Sequence, residues 1–75
     1  MEEKSIEIHT DFIKLDQLLK FAAIVESGGI AKKIIDEWLV LVNGEVCIAR
    51  GKKLRAGDRV TFDEEVGINV CLILH

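Results

Sequence analysis

The sequence predicts an α+β fold in which a helix-turn-helix-like pair of two helices packs on a small, mainly antiparallel sheet of four to five short strands. Between Phe12 and Trp38, apolar residues recur three and four positions apart, as in amphipathic helices. From Leu39 onward they alternate with a period of two, which is typical of strands. The 75 residues fit one domain, residues 1–75. A chain this short has little apolar surface to spare for a deep cavity.

The first half of the chain is predicted to contain one strand and both helices. Residues 5–9 alternate polar and apolar side chains, which indicates a half-buried strand. Thr10 and Asp11 are candidate N-caps for a first helix over residues 12–26. A second helix is predicted over residues 28–37. Two helices joined by so short a turn form a helix-turn-helix-like pair.

The second half is predicted to form strands connected by turns. Asn43-Gly44 is the strongest short signal for a hairpin. The final segment is apolar at nearly every position, so it is either a central strand or a surface that covers a partner. Strands are predicted over residues 39–42, 45–49, 59–63 and 68–74, with a loop over residues 50–55.

Charge is distributed unevenly along the chain. The net charge of -3 divides into -3 for residues 1–26, +3 for residues 27–60 and -3 for residues 61–75. A polyanion responds to the local field rather than to the total charge. Because its middle segment is basic, the protein can still have a nucleic acid as a partner although its net charge is negative.

The loop Ala49–Arg55 is the sharpest feature of the basic segment. Four of its seven residues are basic and none is acidic. Like charges this close repel one another, a cost that contacts with phosphate would offset. The alternative is a solvated loop that keeps the protein soluble. Phosphate binding is the favoured interpretation, and its candidate residues are Arg50, Lys52, Lys53 and Arg55.

Both helices offer further candidates for phosphate contact. Lys32 and Lys33 lie on the second helix, although each could instead pair with an acidic residue four positions later. Ser27 can cap that helix, and Gly28 leaves its first backbone N–H groups open to an anion. The alternative is a tight turn that simply needs glycine. On the first helix, Lys14 is a better candidate than Lys20, and both can equally be solvated surface.

Several other functions find little support. Cys47 and Cys71 are 24 positions apart and are expected to be buried thiols, with a disulfide as the lesser alternative. No catalytic residues, no metal site and no cofactor are predicted. The aromatic residues mostly suit the core, so stacking platforms for bases are not evident. No apolar run reaches the roughly 18 residues of a membrane span, and a cytoplasmic location is expected.

Five short motifs occur in an order and at a spacing that match a known family. They are Lys14-Leu15-Asp16, Ser27-Gly28-Gly29, Ala31-Lys32-Lys33-Ile34-Ile35, Val40-Leu41-Val42-Asn43-Gly44 and Gly57-Asp58-Arg59-Val60. Over residues 12–62 the chain thereby resembles the S4 RNA-binding domain, named after a small-subunit ribosomal protein. It looks most similar to stand-alone bacterial members of the YaaA/YbcJ type.

The resemblance implies a compact α+β domain, the αL RNA-binding motif, that docks on structured RNA, ribosomal or transfer. The processes that it implies are ribosome assembly or translation. By position it implies RNA contacts from Lys14, Ser27, Lys32, Lys33, Asn43, Arg50, Lys52, Lys53 and Arg55. The chain departs from the family pattern at Gly28, where many members carry Arg, and at Trp38, where a glycine usually ends the second helix. The Trp38 backbone is thus either right-handed over the core or strained.

Two rival functions remain open. A DNA-binding helix-turn-helix would normally present Arg, Asn or Gln to base edges, whereas the second helix presents Ile30, Lys32 and Lys33. A protein-interaction module would use the apolar C-terminal strand as an edge or as a homodimer surface. RNA binding without catalysis remains the favoured expectation, with DNA unlikely and no membrane partner.

Overall fold

The computed structural model describes all residues, 1–75, and it confirms the predicted α+β fold. A five-stranded sheet has the order β1-β7-β6-β3-β4, and a two-stranded sheet pairs β2 with β5. The strands are β1 (Glu2–Ile6), β2 (Ile13–Lys14), β3 (Val40–Val42), β4 (Glu45–Val46), β5 (Lys53–Leu54), β6 (Arg59–Phe62) and β7 (Val70–Leu74). The helices are α1 (Leu15–Phe21) and α2 (Gly28–Asp36), and a 3₁₀ turn spans Glu64–Val66.

The C-terminal strand β7 is a central strand. It pairs in parallel with β1 and antiparallel with β6, so the large sheet is mixed. Both of its backbone edges are therefore used within the chain, which resolves the alternative left open by its apolar sequence. Pairing of β7 as an edge strand with a second copy is ruled out as a route to a homodimer. The N-terminal strand β1 begins three residues earlier than predicted. It is β1, and not β7, that lies at this edge of the large sheet.

Helices and sheet enclose a single hydrophobic core. Alternate positions of β3 and β6 face inward, and the apolar stripes of both helices cover them. Completely burying one leucine side chain stabilises the fold by about 1.5–3 kcal/mol. The fully buried large side chains are Leu15, Leu18, Leu19, Ile35, Val40, Leu54, Val60, Leu72 and Leu74.

Helix α1 is much shorter than the predicted helix over residues 12–26. It begins at Leu15, and no side chain caps it, so Thr10 and Asp11 were wrong as N-caps. The Thr10 hydroxyl instead donates a hydrogen bond to the Phe12 carbonyl at 2.7 Å. Ile13 and Lys14 form strand β2, which pairs with a segment some forty residues later in the chain. This long-range pairing overrides the helical periodicity at the N-terminal end of the prediction. At the C-terminal end, α1 stops at Phe21 because Ala23 adopts a left-handed conformation.

Both helices end with a residue other than glycine in the left-handed region. At the end of α1, Ala23 has φ 59°, and the N–H of Ile24 donates to the Leu19 carbonyl at 3.0 Å. At the end of α2, Trp38 has φ 68°, and the N–H of Leu39 donates to the Ile34 carbonyl at 3.1 Å. These are Schellman motifs, in which glycine is the favoured residue. Of the two alternatives for Trp38, the strained backbone is therefore the one observed.

Replacing Ala23 with glycine should stabilise the protein. Ala23 is exposed, so its methyl group contributes little packing, and glycine removes the steric cost of a positive φ. We expect the free energy of unfolding to rise by about 0.5–1 kcal/mol, or roughly 2–8 °C in Tm. Urea denaturation measures the change in the free energy of unfolding, and thermal denaturation measures the change in Tm. Ala56→Gly, at an exposed alanine whose φ is not positive, should destabilise instead; equal effects at both sites would contradict the explanation.

The strands of the second half occur in the predicted order, but they are shorter than predicted. The return strand of the hairpin contains two residues rather than five, and the loop predicted over residues 50–55 contains β5. Both cysteines are free; Cys71 is buried and Cys47 is half-buried. Neither helix has the length and apolar character needed to traverse a lipid bilayer.

Candidate nucleic-acid interface

The loop from Ala49 to Arg55, here called the basic loop, is fastened to the start of α1 through its backbone. The carbonyls of Lys52 and Arg50 accept hydrogen bonds from the N–H groups of Leu15 at 2.9 Å and Asp16 at 3.2 Å. These carbonyls replace the side-chain cap that α1 lacks. Leu54 is fully buried and anchors the loop in the core. The loop is thus held in place while its basic side chains remain exposed.

Strands β2 and β5 place two lysines directly opposite each other. Lys14 pairs with Lys53 in the antiparallel ladder, and both side chains are exposed. Like charges directly opposite on a sheet are destabilising. A phosphate placed between the two ammonium groups would turn this repulsion into attraction. The structure therefore brings the helix candidate Lys14 into the same cluster as the basic loop.

Phe12 organises two cations of this cluster. The Lys53 ammonium lies 4.8 Å from the centre of the Phe12 ring, and the Arg55 guanidinium lies 5.9 Å from it. Arg55 also donates a hydrogen bond from Nη1 to the Asp11 carbonyl at 3.3 Å. Cation–π contacts at exposed sites are worth about 0.5–1 kcal/mol. Sequence reasoning missed this role of Phe12, because the contact joins residues that are distant in the chain.

Asn43 joins the hairpin to the turn that follows the basic loop. Its side-chain oxygen accepts a hydrogen bond from the Arg59 N–H at 2.9 Å, and its Nδ2 donates to Asp58 at 3.1 Å. Asp58 in turn accepts from the Arg55 N–H at 2.8 Å. A groove of about 490 Å³ lies here, and Lys52 and Lys53 are among its lining residues. The Asn43 side chain thus positions the groove walls, a role that the sequence did not reveal.

The same network stabilises the ionised form of Asp58. Hydrogen bonds from the Arg55 backbone and the Asn43 side chain, together with the charges of Lys52 and Arg55, hold the pKa of Asp58 below its ordinary value near 3.8. Burial opposes these effects but does not outweigh them. Asp58 therefore lines the groove as a carboxylate, together with Glu45 and with the basic residues Lys52, Lys53 and Arg55. The Asp58 carboxylate accepts its hydrogen bonds from the Arg55 backbone and the Asn43 amide rather than from a lysine.

The lowered pKa predicts how stability depends on pH. The contribution of Asp58 is complete above its unfolded-state pKa and is lost as pH falls through the lower folded-state pKa. Asp58→Asn should therefore be less stable than the original protein at neutral pH, and the difference should shrink as the pH falls below about 3.8. Urea unfolding across this range measures it, with exposed Glu45→Gln as the control. A difference that stays constant with pH would contradict the assignment.

The turn between the helices lies close to Lys20. Ser27 caps α2 as predicted, since its hydroxyl oxygen accepts a hydrogen bond from the Ile30 N–H at 3.3 Å. A β carbon at Gly28 would lie 3.8 Å from Cδ of Lys20, so the lysine stem runs beside this helix start. Lys20 therefore joins Ser27 and Gly28, although the sequence favoured Lys14 over it. Many family members carry an Arg where this chain has Gly28. The aliphatic part of the Lys20 side chain lies next to the position that such an Arg side chain would occupy.

Lys32 and Lys33 are exposed on α2. Lys32 lies one helical turn beyond Gly28, so it extends the group formed by Lys20 and the turn. No contact in the structure joins Lys33 to the basic loop. The predicted residues thus form two groups, one around the basic loop with Lys14 and one around the start of α2. The exposed face of α1 connects the two groups.

The acidic turn and the acidic start of β1 lie at the other end of the sheet. Strand β6 runs from Arg59, next to Asn43, to Phe62, where the acidic turn with Glu64 and Glu65 follows. Glu2, at the start of β1, pairs with Val70 at that same end. These acidic residues are thus separated in space from the basic loop, whereas Glu45 and Asp58 lie in the groove beside it. This separation lets a protein of net charge -3 present a basic surface.

Of the four aromatic side chains, only that of Phe62 belongs to the hydrophobic core. Phe62 is buried and Phe12 is half-buried, but Phe21 is 63% exposed and Trp38 is 65% exposed. The expectation that the aromatic residues mostly suit the core was wrong for these two. Phe21 lies on α1 three positions after the buried Leu18. Because this spacing is also that of core residues on a helix, the sequence did not indicate that Phe21 is exposed.

Comparison with known proteins agrees with this architecture. The family model of the S4 domain matches residues 6–70. The probable ribosome maturation protein RlbA of Bacillus subtilis (strain 168) is 47% identical over 58 residues, which cover 77% of this chain and 82% of that protein. Both matches extend across the helix pair and the hairpin, and they confirm the resemblance drawn from the five motifs. The chain belongs to the S4 domain family.

Proposed function

We propose that this protein binds folded ribosomal RNA without catalysing a reaction and acts in ribosome maturation. The observation that carries the proposal is the cluster formed by Lys14 and the basic loop. Backbone pairing places Lys14 directly opposite Lys53, and such a like-charge pair is unfavourable without an anion. The S4 domain family and the ribosome-maturation role in the name of the similar protein support ribosomal RNA as the partner.

The proposed contacts are electrostatic. Cations of the basic loop would meet phosphates along one RNA strand, and the second group would meet another part of the same RNA. Phosphate contacts fix position and register, whereas sequence would be read through the shape of the folded RNA. The proposed contact residues are Lys14, Ser27, Gly28, Lys32, Lys33, Arg50, Lys52, Lys53 and Arg55, with Asn43 positioning the groove.

A titration at several salt concentrations tests the proposal. The purified protein is titrated with a structured ribosomal RNA fragment, a transfer RNA and a DNA duplex of equal length. Four to six phosphate contacts should give a slope of log affinity against log salt of about -3 to -5. We expect the ribosomal RNA fragment to bind more tightly than the other two at every salt concentration.

The comparison among the probes separates the rival functions. Equal affinity for all three would indicate a general polyanion binder and remove the preference for ribosomal RNA. Preference for the duplex would favour the DNA-binding alternative. No binding at low salt would overturn the proposal and leave a protein partner as the better explanation.

A further inference from the structure

Phe21 stands out as an apolar side chain that the fold does not use. It is 63% exposed at the last position of α1, whereas Leu15, Leu18 and Leu19 on the same helix are fully buried. A large apolar side chain left in water gains nothing from the hydrophobic effect that stabilises the core. Scattered exposed apolar residues are common, so the surroundings of Phe21 decide whether it has a role.

Those surroundings form a shallow apolar depression with polar sides. Two adjoining grooves, of about 470 and 220 Å³, share Phe21 and Ile13 as lining residues. Gln17 and Lys20 line the larger groove, and both are exposed. The ring of Phe21 thus lies in an open site with the cation of Lys20 and the amide of Gln17 on one side and Glu7 on the other. A flat aromatic ring with such neighbours suits the face of a nucleobase, whose edge needs polar partners.

The depression is continuous with the proposed RNA surface. Gln17 and Phe21 are four positions apart, so they lie along one face of α1, and Lys14 immediately precedes that helix. The seven residues of α1 span roughly 10 Å from its start beside Lys14 to Phe21. Lys20 borders the other side and runs beside Gly28 at the start of α2. Phe21 therefore lies between the two basic groups, within reach of a strand that contacts both.

The other aromatic residues do not compete for this role. The ring of Phe12 is already in cation–π contact with Lys53 and Arg55. Trp38 is equally exposed but follows α2 and leads into the start of β3, at the end of the sheet where the acidic turn lies. Of the two exposed aromatic rings, Phe21 is the one that lines a groove together with a lysine, Lys20.

We propose that Phe21 is a stacking platform for one unpaired base of the bound RNA, between phosphates held by Lys14 and by Lys20. The inference rests on the proposed RNA binding and specifies its substrate: a folded RNA with an unpaired nucleotide beside a helical segment. Stacking on an aromatic side chain tolerates any base, because every base presents a π face. Gln17 is the nearest group that could favour one base edge over another.

The test compares two RNA probes and two kinds of substitution. One probe is a short RNA stem with an unpaired extension, and the other is the same stem with blunt ends. Phe21→Leu retains apolar bulk but removes the ring, whereas Phe21→Trp retains a ring. Phe21 is exposed, so neither change should prevent folding. Trp38→Leu is the matched control, since it removes an equally exposed ring outside the proposed surface.

The expected result is selective. Phe21→Leu should weaken binding of the extended stem by about fivefold or more, as expected for the loss of one stacked base. Its affinity for the blunt stem and its salt slope should stay unchanged, because no ionic contact is removed. Phe21→Trp should bind the extended stem at least as well as the original protein, and Trp38→Leu should change neither affinity.

Two results would overturn the stacking proposal alone. Phe21→Leu could bind the extended stem as tightly as the original protein, which would show that no ring is needed. It could instead lose affinity equally for both stems, which would show a general effect on the surface. In either case a salt slope that remains steep keeps the proposed phosphate contacts intact. Absence of salt-dependent binding by the original protein would overturn the proposed function itself.

Discussion

Alanine at both Lys52 and Lys53 is expected to reduce the salt slope of RNA binding by about one to two units. Each phosphate contact contributes about 0.7–0.9 to that slope, and both lysines line the groove of the basic loop. Between 50 and 200 mM salt, a slope smaller by one to two units corresponds to roughly a fourfold to sixteenfold smaller loss of affinity. Filter binding or fluorescence anisotropy over this range measures it.

The same double variant should leave folding nearly unchanged. It removes the contact of Lys53 with Phe12, worth about 0.5–1 kcal/mol, but also relieves the repulsion between Lys53 and Lys14. Weaker RNA binding would then reflect the interface rather than the fold. A destabilisation of several kcal/mol would show instead that these lysines are structural and would invalidate the binding result.

A charge-matched control addresses net charge. Glu64→Gln with Glu65→Gln changes the net charge by two units in the opposite direction, at the far end of β6. If the local field governs binding, this control should leave the salt slope unchanged. A slope that follows net charge in both double variants would contradict a defined interface at the basic loop.

The fold class was predictable because the periodicity of apolar residues changes sharply. The helical spacing that ends at Trp38 and the hairpin signal of Asn43-Gly44 each reflect local interactions, and both elements appear where predicted. The short extent of α1 was not predictable in this way. Residues 13–14 have a helix-compatible pattern, and only their pairing with β5 makes them a strand. The same is true of β7, whose central position depends on an N-terminal strand that crosses to it.

The candidate site was predictable in composition but not in arrangement. A cluster of cations without acids reveals the basic loop from sequence alone. The basic loop is attached to α1 through backbone carbonyls, which every residue possesses. No pattern of side chains in the sequence therefore predicts this attachment. The like-charge pair Lys14–Lys53 joins two motifs that are 39 positions apart. Phe21 was missed because an exposed aromatic residue on a helix can share the period of the core.

Leu54 is expected to be the residue on which the arrangement of the basic loop most depends. Its side chain is fully buried, and its backbone pairs with Ile13 in the two-stranded sheet. Leu54→Ala removes buried methyl groups and leaves a cavity, which typically costs about 2–5 kcal/mol. A domain of 75 residues has a total stability of roughly 4–11 kcal/mol. We therefore expect urea denaturation to show a loss of roughly a fifth or more of the free energy of unfolding.

RNA affinity should fall in Leu54→Ala although no cation is removed. The anchor between Lys53 and Arg55 holds the spacing of the loop charges, so loosening it raises the entropic cost of ordering them on the RNA. Leu54→Met conserves volume and should cost less than about 1.5 kcal/mol while retaining affinity. Ile48→Ala, at an exposed neighbouring position, should cost under about 0.5 kcal/mol. Full RNA affinity in a destabilised but folded Leu54→Ala protein would show that the cations bind without a fixed arrangement, so that their number alone determines affinity.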